Sequence, residues 1–171
     1  NNSRIPILIG VTGHRDLSKE TMDSTVPKVE SLLSFILTSY PSTPIIILSA
    51  LADGADRLVA DVALDFRDSG ENRIQVAACI PFDRALYSQD FDSNSLIECD
   101  ALVARCDKVN ELSPYIYEGF DLANLYLPDR NLRNESNNWG YNKERNAQYA
   151  NLGAFLVRHS NVLLALWDGC E

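Results

Sequence analysis

Three runs of this chain combine residue types and spacings suited to a small-molecule site. Gly13-His14-Arg15-Asp16 follows the apolar run Ile7-Leu8-Ile9-Gly10-Val11. Ser49 closes a second apolar run, Ile45-Ile46-Ile47-Leu48, and Asp53-Gly54-Ala55-Asp56 comes soon after it. Arg145, Gln148 and Tyr149 stand at i, i+3 and i+4, the spacing of one helix face. Glycines such as Gly13 and Gly54 let backbone N–H groups approach a ligand closely. Arg15 can hold a phosphate or a carboxylate through two bonds at once. Ser49 suits a ribose or phosphate oxygen, and Asp53 or Asp56 suits ribose hydroxyls. Asp168-Gly169 adds a further acid and glycine after the apolar run Val162 to Trp167. Together these types fit binding of a phosphorylated or ribosylated small molecule.

Each run also has a plainer interpretation. Gly13 fits an ordinary strand-to-helix turn, and His14 a hydrogen-bonded structural histidine. Arg15 fits an ion pair with Asp16 or another acid. Asp53 fits a helix cap, and this interpretation is preferred for it. Arg145, with Lys143 and Glu144, fits a solvated helix face. Trp167 is expected to pack in the core rather than stack on a base. GxGxxG, GK[ST] and GxSxG are all absent, which removes the dinucleotide fingerprint, the Walker loop and the nucleophile elbow.

The elements that must position these runs alternate between strand and helix. Strands are predicted over 5–12, 45–49, 73–80 and 161–167. Helices are predicted over 25–39, from Asp53 or Gly54 onward, over 93–106 and over 142–158. Val29, Leu32, Leu33, Ile36 and Leu37 carry the first helix's apolar face. Pro27 is tolerated in a first turn, which places that helix's start near Ser24 or Thr25. Ala55, Leu58, Val59, Val62 and Phe66 stripe the second helix, and Leu96, Ala101 and Leu102 face inward from the third. Residues 107–140 read as an irregular loop or insertion. The alternation implies a Rossmann-like, doubly wound, mostly parallel α/β sheet flanked by helices. Ligands of such sheets bind at the carboxyl ends of the strands, where Gly13, Ser49 and Asp168 all fall.

Composition narrows the partners. The 171 residues suit a single domain, and 46% hydrophobic content supports a core. Fifteen basic residues against 24 acidic ones leave a net charge of −9, which opposes general nucleic-acid or anionic-membrane binding. No run approaches the roughly 20 apolar residues of a membrane span. No secretory leader is read at the N-terminus, and the missing initiator Met is read as processing or trimming. Cys79, Cys99, Cys106 and Cys170 form no CxxC pair, and with His14 and His159 they complete no zinc spacing. Reduced thiols in a cytoplasmic protein are therefore expected, with no metal and no cofactor.

Val11-Thr12-Gly13-His14-Arg15-Asp16-Leu17, Ser49 through Asp56, Arg145-Asn146-Ala147-Gln148-Tyr149 and Leu163 through Gly169 together resemble the SLOG superfamily. That group includes nucleoside-monophosphate phosphoribohydrolases, DNA-processing proteins and ligand-sensing domains of channels and antiphage systems. The resemblance covers most of the chain outside 107–140. It implies a Rossmann-like fold with a nucleotide or nucleotide-derived ligand at Gly13, Ser49 and Gly54. Glu144-Arg145-Asn146 resembles the step whose Arg binds and helps cleave substrate in the hydrolase branch. The PGGxGTxxE loop of that branch has no counterpart at Trp167-Asp168-Gly169-Cys170-Glu171. The expectation is thus a ligand-sensing module, incomplete on its C-terminal side and joined beyond residue 171 to an effector or membrane domain. A homo-oligomer is also expected. Its ligand contacts would be Gly13, His14, Arg15, Ser49, Asp53, Gly54, Arg145, Gln148, Tyr149, Asp168 and Gly169. The alternative is a phosphoribohydrolase cleaving an N-glycosidic bond with Arg145 as its catalytic residue, and single-stranded DNA binding ranks third.

Overall fold

The computed structural model describes residues 4–126 and 143–167. Its centre is a five-stranded, all-parallel sheet in the order β4-β3-β2-β1-β5. The strands are β1 (Ile7–Gly13), β2 (Ile45–Ser49), β3 (Ile74–Ile80), β4 (Lys108–Glu111) and β5 (Val162–Leu166). The main helices are α1 (Lys19–Ser39), α2 (Ala55–Asp68), α4 (Ser93–Arg105) and α5 (Lys143–His159), with a single turn α3 (Arg84–Tyr87) before α4. The predicted Rossmann-like, doubly wound α/β fold is what the chain forms.

Strand side chains alternate between faces, and the two faces meet different helices. Ile9, Val11, Ile47, Val76 and Ile80 pack on α1, α2 and α4 through Leu33, Val59, Leu64 and Leu102. Leu48, Ala77 and Cys79 pack on Leu152 and Leu156 of α5. Successive strands step from β1 to β4 in one direction, and β5 then returns to the far side of β1. The sheet's winding therefore reverses between β1 and β5, where Gly13 lies beside Leu166.

Several boundaries differ from expectation for physical reasons. α1 begins a turn and a half before Ser24, because Ser18 caps it by accepting from Thr21 N–H at 3.1 Å. Pro27 sits inside the helix at an exposed position, and Asp23, whose carbonyl loses its helical donor there, is exposed as well. Within 107–140, which was expected to be irregular, the chain forms β4 and a 3₁₀ turn, Leu122–Leu125. Lys108-Val109-Asn110-Glu111 has little strand signature, but Asp107 fixes it. Its carboxylate accepts from Val76 N–H at 2.8 Å, and its own N–H donates to Val76 C=O at 2.8 Å. In α4 Cys99, Leu102 and Val103 are buried and Leu96 packs half-buried against the core, whereas Ala101 is exposed. Trp167 is 64% exposed instead of packing in the core. No helix among the described residues is long and apolar enough to cross a membrane.

Candidate functional site

The carboxyl ends of β1 and β2 are joined by close backbone packing. Ala55 N–H donates to His14 C=O at 3.1 Å, and His14 N–H donates to Leu166 C=O at 3.2 Å. A Cβ on Gly13 would lie 2.4 Å from Leu166 O and 2.5 Å from the Ala55 Cβ. Gly54 adopts φ +76°, and a Cβ there would lie 2.4 Å from the carbonyl oxygens of His14 and Arg15. Both glycines are thus required to seat the β2–α2 turn against the β1–α1 turn. Ser49 serves the same junction. It donates to Asp56 C=O at 2.9 Å and accepts from Leu51 N–H at 3.1 Å, completely buried.

Charged groups gather above this junction. The cap position of α2 is Gly54, and Asp53 does not cap the helix. The Asp53 carboxylate instead takes Arg57 at 2.6 Å, Arg15 at 3.3 Å and the Ser95 hydroxyl. The ion pair foreseen for Arg15 is made, with Asp53 rather than Asp16. The side chains of Arg57 and Arg15 lie over the Phe91 ring, at 4.9 and 5.8 Å from its centroid. Arg15 keeps 46% of its side chain exposed, while Arg57 is almost covered and donates from Nε to Leu51 C=O at 2.9 Å.

Asp56 and Arg57 depart from the rule that buried polar atoms are hydrogen-bonded. Among the described residues, Asp56 Oδ1, Arg57 Nη2 and the Tyr117 hydroxyl are buried without a partner. Burial pushes the Asp56 carboxyl up to about 7, against the pull of the Ala52 N–H and of Arg15 and Arg57. Burial also raises the neighbouring Tyr87 hydroxyl, and the Asp56 charge adds to that. Sequence reasoning gave Asp56 little weight and passed over Arg57 and Tyr87. The only signal for Asp56 and Arg57 was two charged residues in the first turn of an amphipathic helix.

The α5 residues lie inside the protein. The Arg145 guanidinium, 3% exposed, donates to Leu86 C=O at 3.0 Å, to Asp90 at 2.8 Å and to Leu125 C=O. It also stacks over Phe82 at 4.6 Å. The Tyr149 hydroxyl donates to the other Asp90 oxygen, and burial followed by the Asp90 charge raises its pKa. Gln148 is completely buried and brackets Tyr115, accepting from its N–H at 2.6 Å and donating to its C=O at 3.0 Å. Arg145, Gln148 and Tyr149 do share a face, as their spacing predicts, but in this structure that face joins α5 to the 82–91 and 115–125 segments. Asp168 and Gly169 lie outside the described residues.

Cys79, Cys99 and Cys106 are free thiols, and burial pushes Cys79 and Cys106 up to about 11, which lowers their thiolate fraction at neutral pH. Among the described residues no group of His, Cys, Asp or Glu is arranged to hold a metal ion. Fold and site together define a Rossmann-like α/β protein with a charged, partly unsatisfied carboxyl edge. The chain matches no protein-family model, and a search of curated proteins gives no match.

Proposed function

We propose that the domain binds a nucleotide or nucleotide-derived small ligand at the carboxyl edge of the sheet, as the sensing module of a larger protein. The observation that carries the proposal is the winding reversal between β1 and β5, because open parallel sheets take ligands in the crevice at that point. Arg15 stands at the mouth of the crevice with its guanidinium half exposed, suited to a phosphate. Asp56 supplies an acceptor without a donor, which is what a ribose hydroxyl would satisfy. The net charge of −9 keeps long anionic polymers away while leaving room for a single phosphate at one arginine. The hydrolase alternative draws no support from Arg145, whose guanidinium is engaged by Asp90 and two carbonyls.

Titration calorimetry against AMP, ADP-ribose and cyclic ADP-ribose tests the proposal. One of these should bind at a single site, and binding should weaken as pH falls through about 7, where Asp56 takes up its proton. Absence of binding by all three to the full-length protein overturns it. Release of free base from AMP, abolished in Arg145→Lys with the fold retained, would move the assignment to the hydrolase.

A further inference from the structure

A groove of about 1080 Å³ lies on the outer side of the helical layer. α2 forms its floor, with α1 and α4 as its walls. Its upper end is lined by Arg15, Asp53, Gly54 and Arg57 of the strand-edge site, and the rest runs down α2 away from the strand ends. Its apolar lining includes Met22, Val26, Leu58, Val62, Phe66 and Leu102. Met22, Val26 and Phe66 are half-buried, so the strip stays open to solvent.

Charge around this strip is unbalanced. Six acids and four bases line the groove. Three of the bases are already held: Arg105 by Asp61, Asp65 and Asp68, Arg57 by Asp53 and Glu98, and Arg15 by Asp53. Asp23 and Glu30 on the α1 wall join no ion pair among the described residues. The α1 rim thus carries two acids against one base, Lys19, and across the apolar floor Arg105 is outnumbered by the acids that hold it. An amphipathic helix with an apolar stripe flanked by Lys and Arg complements that pattern.

The size agrees. The 14 residues of α2 make a floor about 21 Å long at 1.5 Å per residue. Half of a helix cylinder about 11 Å thick and of that length occupies about 1000 Å³. We infer that the α1–α2–α4 groove docks a basic amphipathic helix of a partner segment, laid along α2 with its cations against Asp23 and Glu30.

Fluorescence polarisation with a labelled 18-residue Leu/Lys amphipathic helical peptide tests the inference. The peptide should bind the protein, bind less as salt rises, and outcompete both a Leu/Glu counterpart and a proline-broken peptide of the same composition. Asp23→Lys with Glu30→Lys should weaken binding at least tenfold. Glu111→Lys with Glu118→Lys, the same charge change on exposed positions outside the groove, should weaken it less than threefold. Met22→Gln, which changes the floor without changing charge, should weaken it several-fold, and circular dichroism confirms that each variant is folded. Equal losses in the two charge-reversed proteins, unchanged binding to Met22→Gln, or no binding of the Leu/Lys peptide overturns the inference. So does a dimer dissolved by the Asp23 and Glu30 substitutions, which would give the groove to a second copy of the chain.

Discussion

The first turns of α2 and α5 make an informative pair. Both carry charged residues at positions that a helix normally leaves in water, and both bury them: Asp56 and Arg57 in α2, Glu144 and Arg145 in α5. At α5 Arg145 and Gln148 are engaged. Arg145 meets Asp90 and two carbonyls, and Gln148 brackets the Tyr115 backbone. At α2 one carboxylate oxygen and one guanidinium nitrogen are left without partners. Engaged polar burial holds segments in place, whereas unengaged burial leaves polar atoms unpaired at a cost to the fold. The difference separates a helix start that joins segments from one that leaves polar atoms unsatisfied.

Removing the engaged group should have the largest effect. Arg145→Ala strips the charge partner from Asp90, itself 9% exposed, and frees two buried carbonyls. A loss of about 3–5 kcal/mol in urea unfolding is expected. A loss below about 1 kcal/mol would erase the contrast between the two helix starts.

Asp56→Asn should act in the opposite direction. The folded carboxyl keeps its proton up to about 7, while the unfolded one releases it near 3.8. Folding therefore takes up a proton between these values, and stability falls as pH rises through that window. Replacing the carboxylate should stabilise the protein at pH 8, on the order of 2–4 kcal/mol, with the gain fading by pH 4. Unfolding curves at pH 4, 6 and 8 check the sign, and a gain independent of pH would refute it. Gln148→Ala should then cost about 1–3 kcal/mol, because the Tyr115 N–H and C=O lose a buried partner. Hydrogen exchange should locate that loss at Tyr115, and an unprotected Tyr115 amide in the native protein would contradict it.

Much of the fold was legible because apolar periodicity is local. The runs Ile45-Ile46-Ile47-Leu48 and Val29-Leu33-Ile36-Leu37 announce their strand and helix without reference to the rest of the chain. β4 was not legible, since one aspartate side chain reaching Val76 fixes it rather than its own composition. The α1 start was obscured by Pro27, whose cost depends on which face meets water. For the site, Gly13 and Gly54 were visible as glycines, but their reason, the approach of the β1–α1 and β5 backbones, exists only in three dimensions. Apart from Arg57 and the Glu144 carbonyl, the partners named for the side chains of Asp53, Arg145 and Gln148 lie 20 or more residues away, and no spacing rule predicts them.

The smallest structural effect should accompany a clear functional one. Arg15 pairs with Asp53 at 3.3 Å, but nearly half of its side chain is in solvent. Exposed pairs of this kind contribute about 0–1 kcal/mol, and Asp53 would keep Arg57 and Ser95 after the pair is gone. Arg15→Ala should therefore unfold within about 1 kcal/mol of the parent. If Arg15 faces a phosphate in the crevice, the same change should weaken AMP or ADP-ribose binding about tenfold, equivalent to about 1.4 kcal/mol. Arg145→Lys, which keeps a charge on the engaged side, should lower stability without a comparable change in affinity once folded protein is compared. Calorimetry on both variants separates the two helix starts by readout. Affinity that follows Arg145 and ignores Arg15 would reverse their roles.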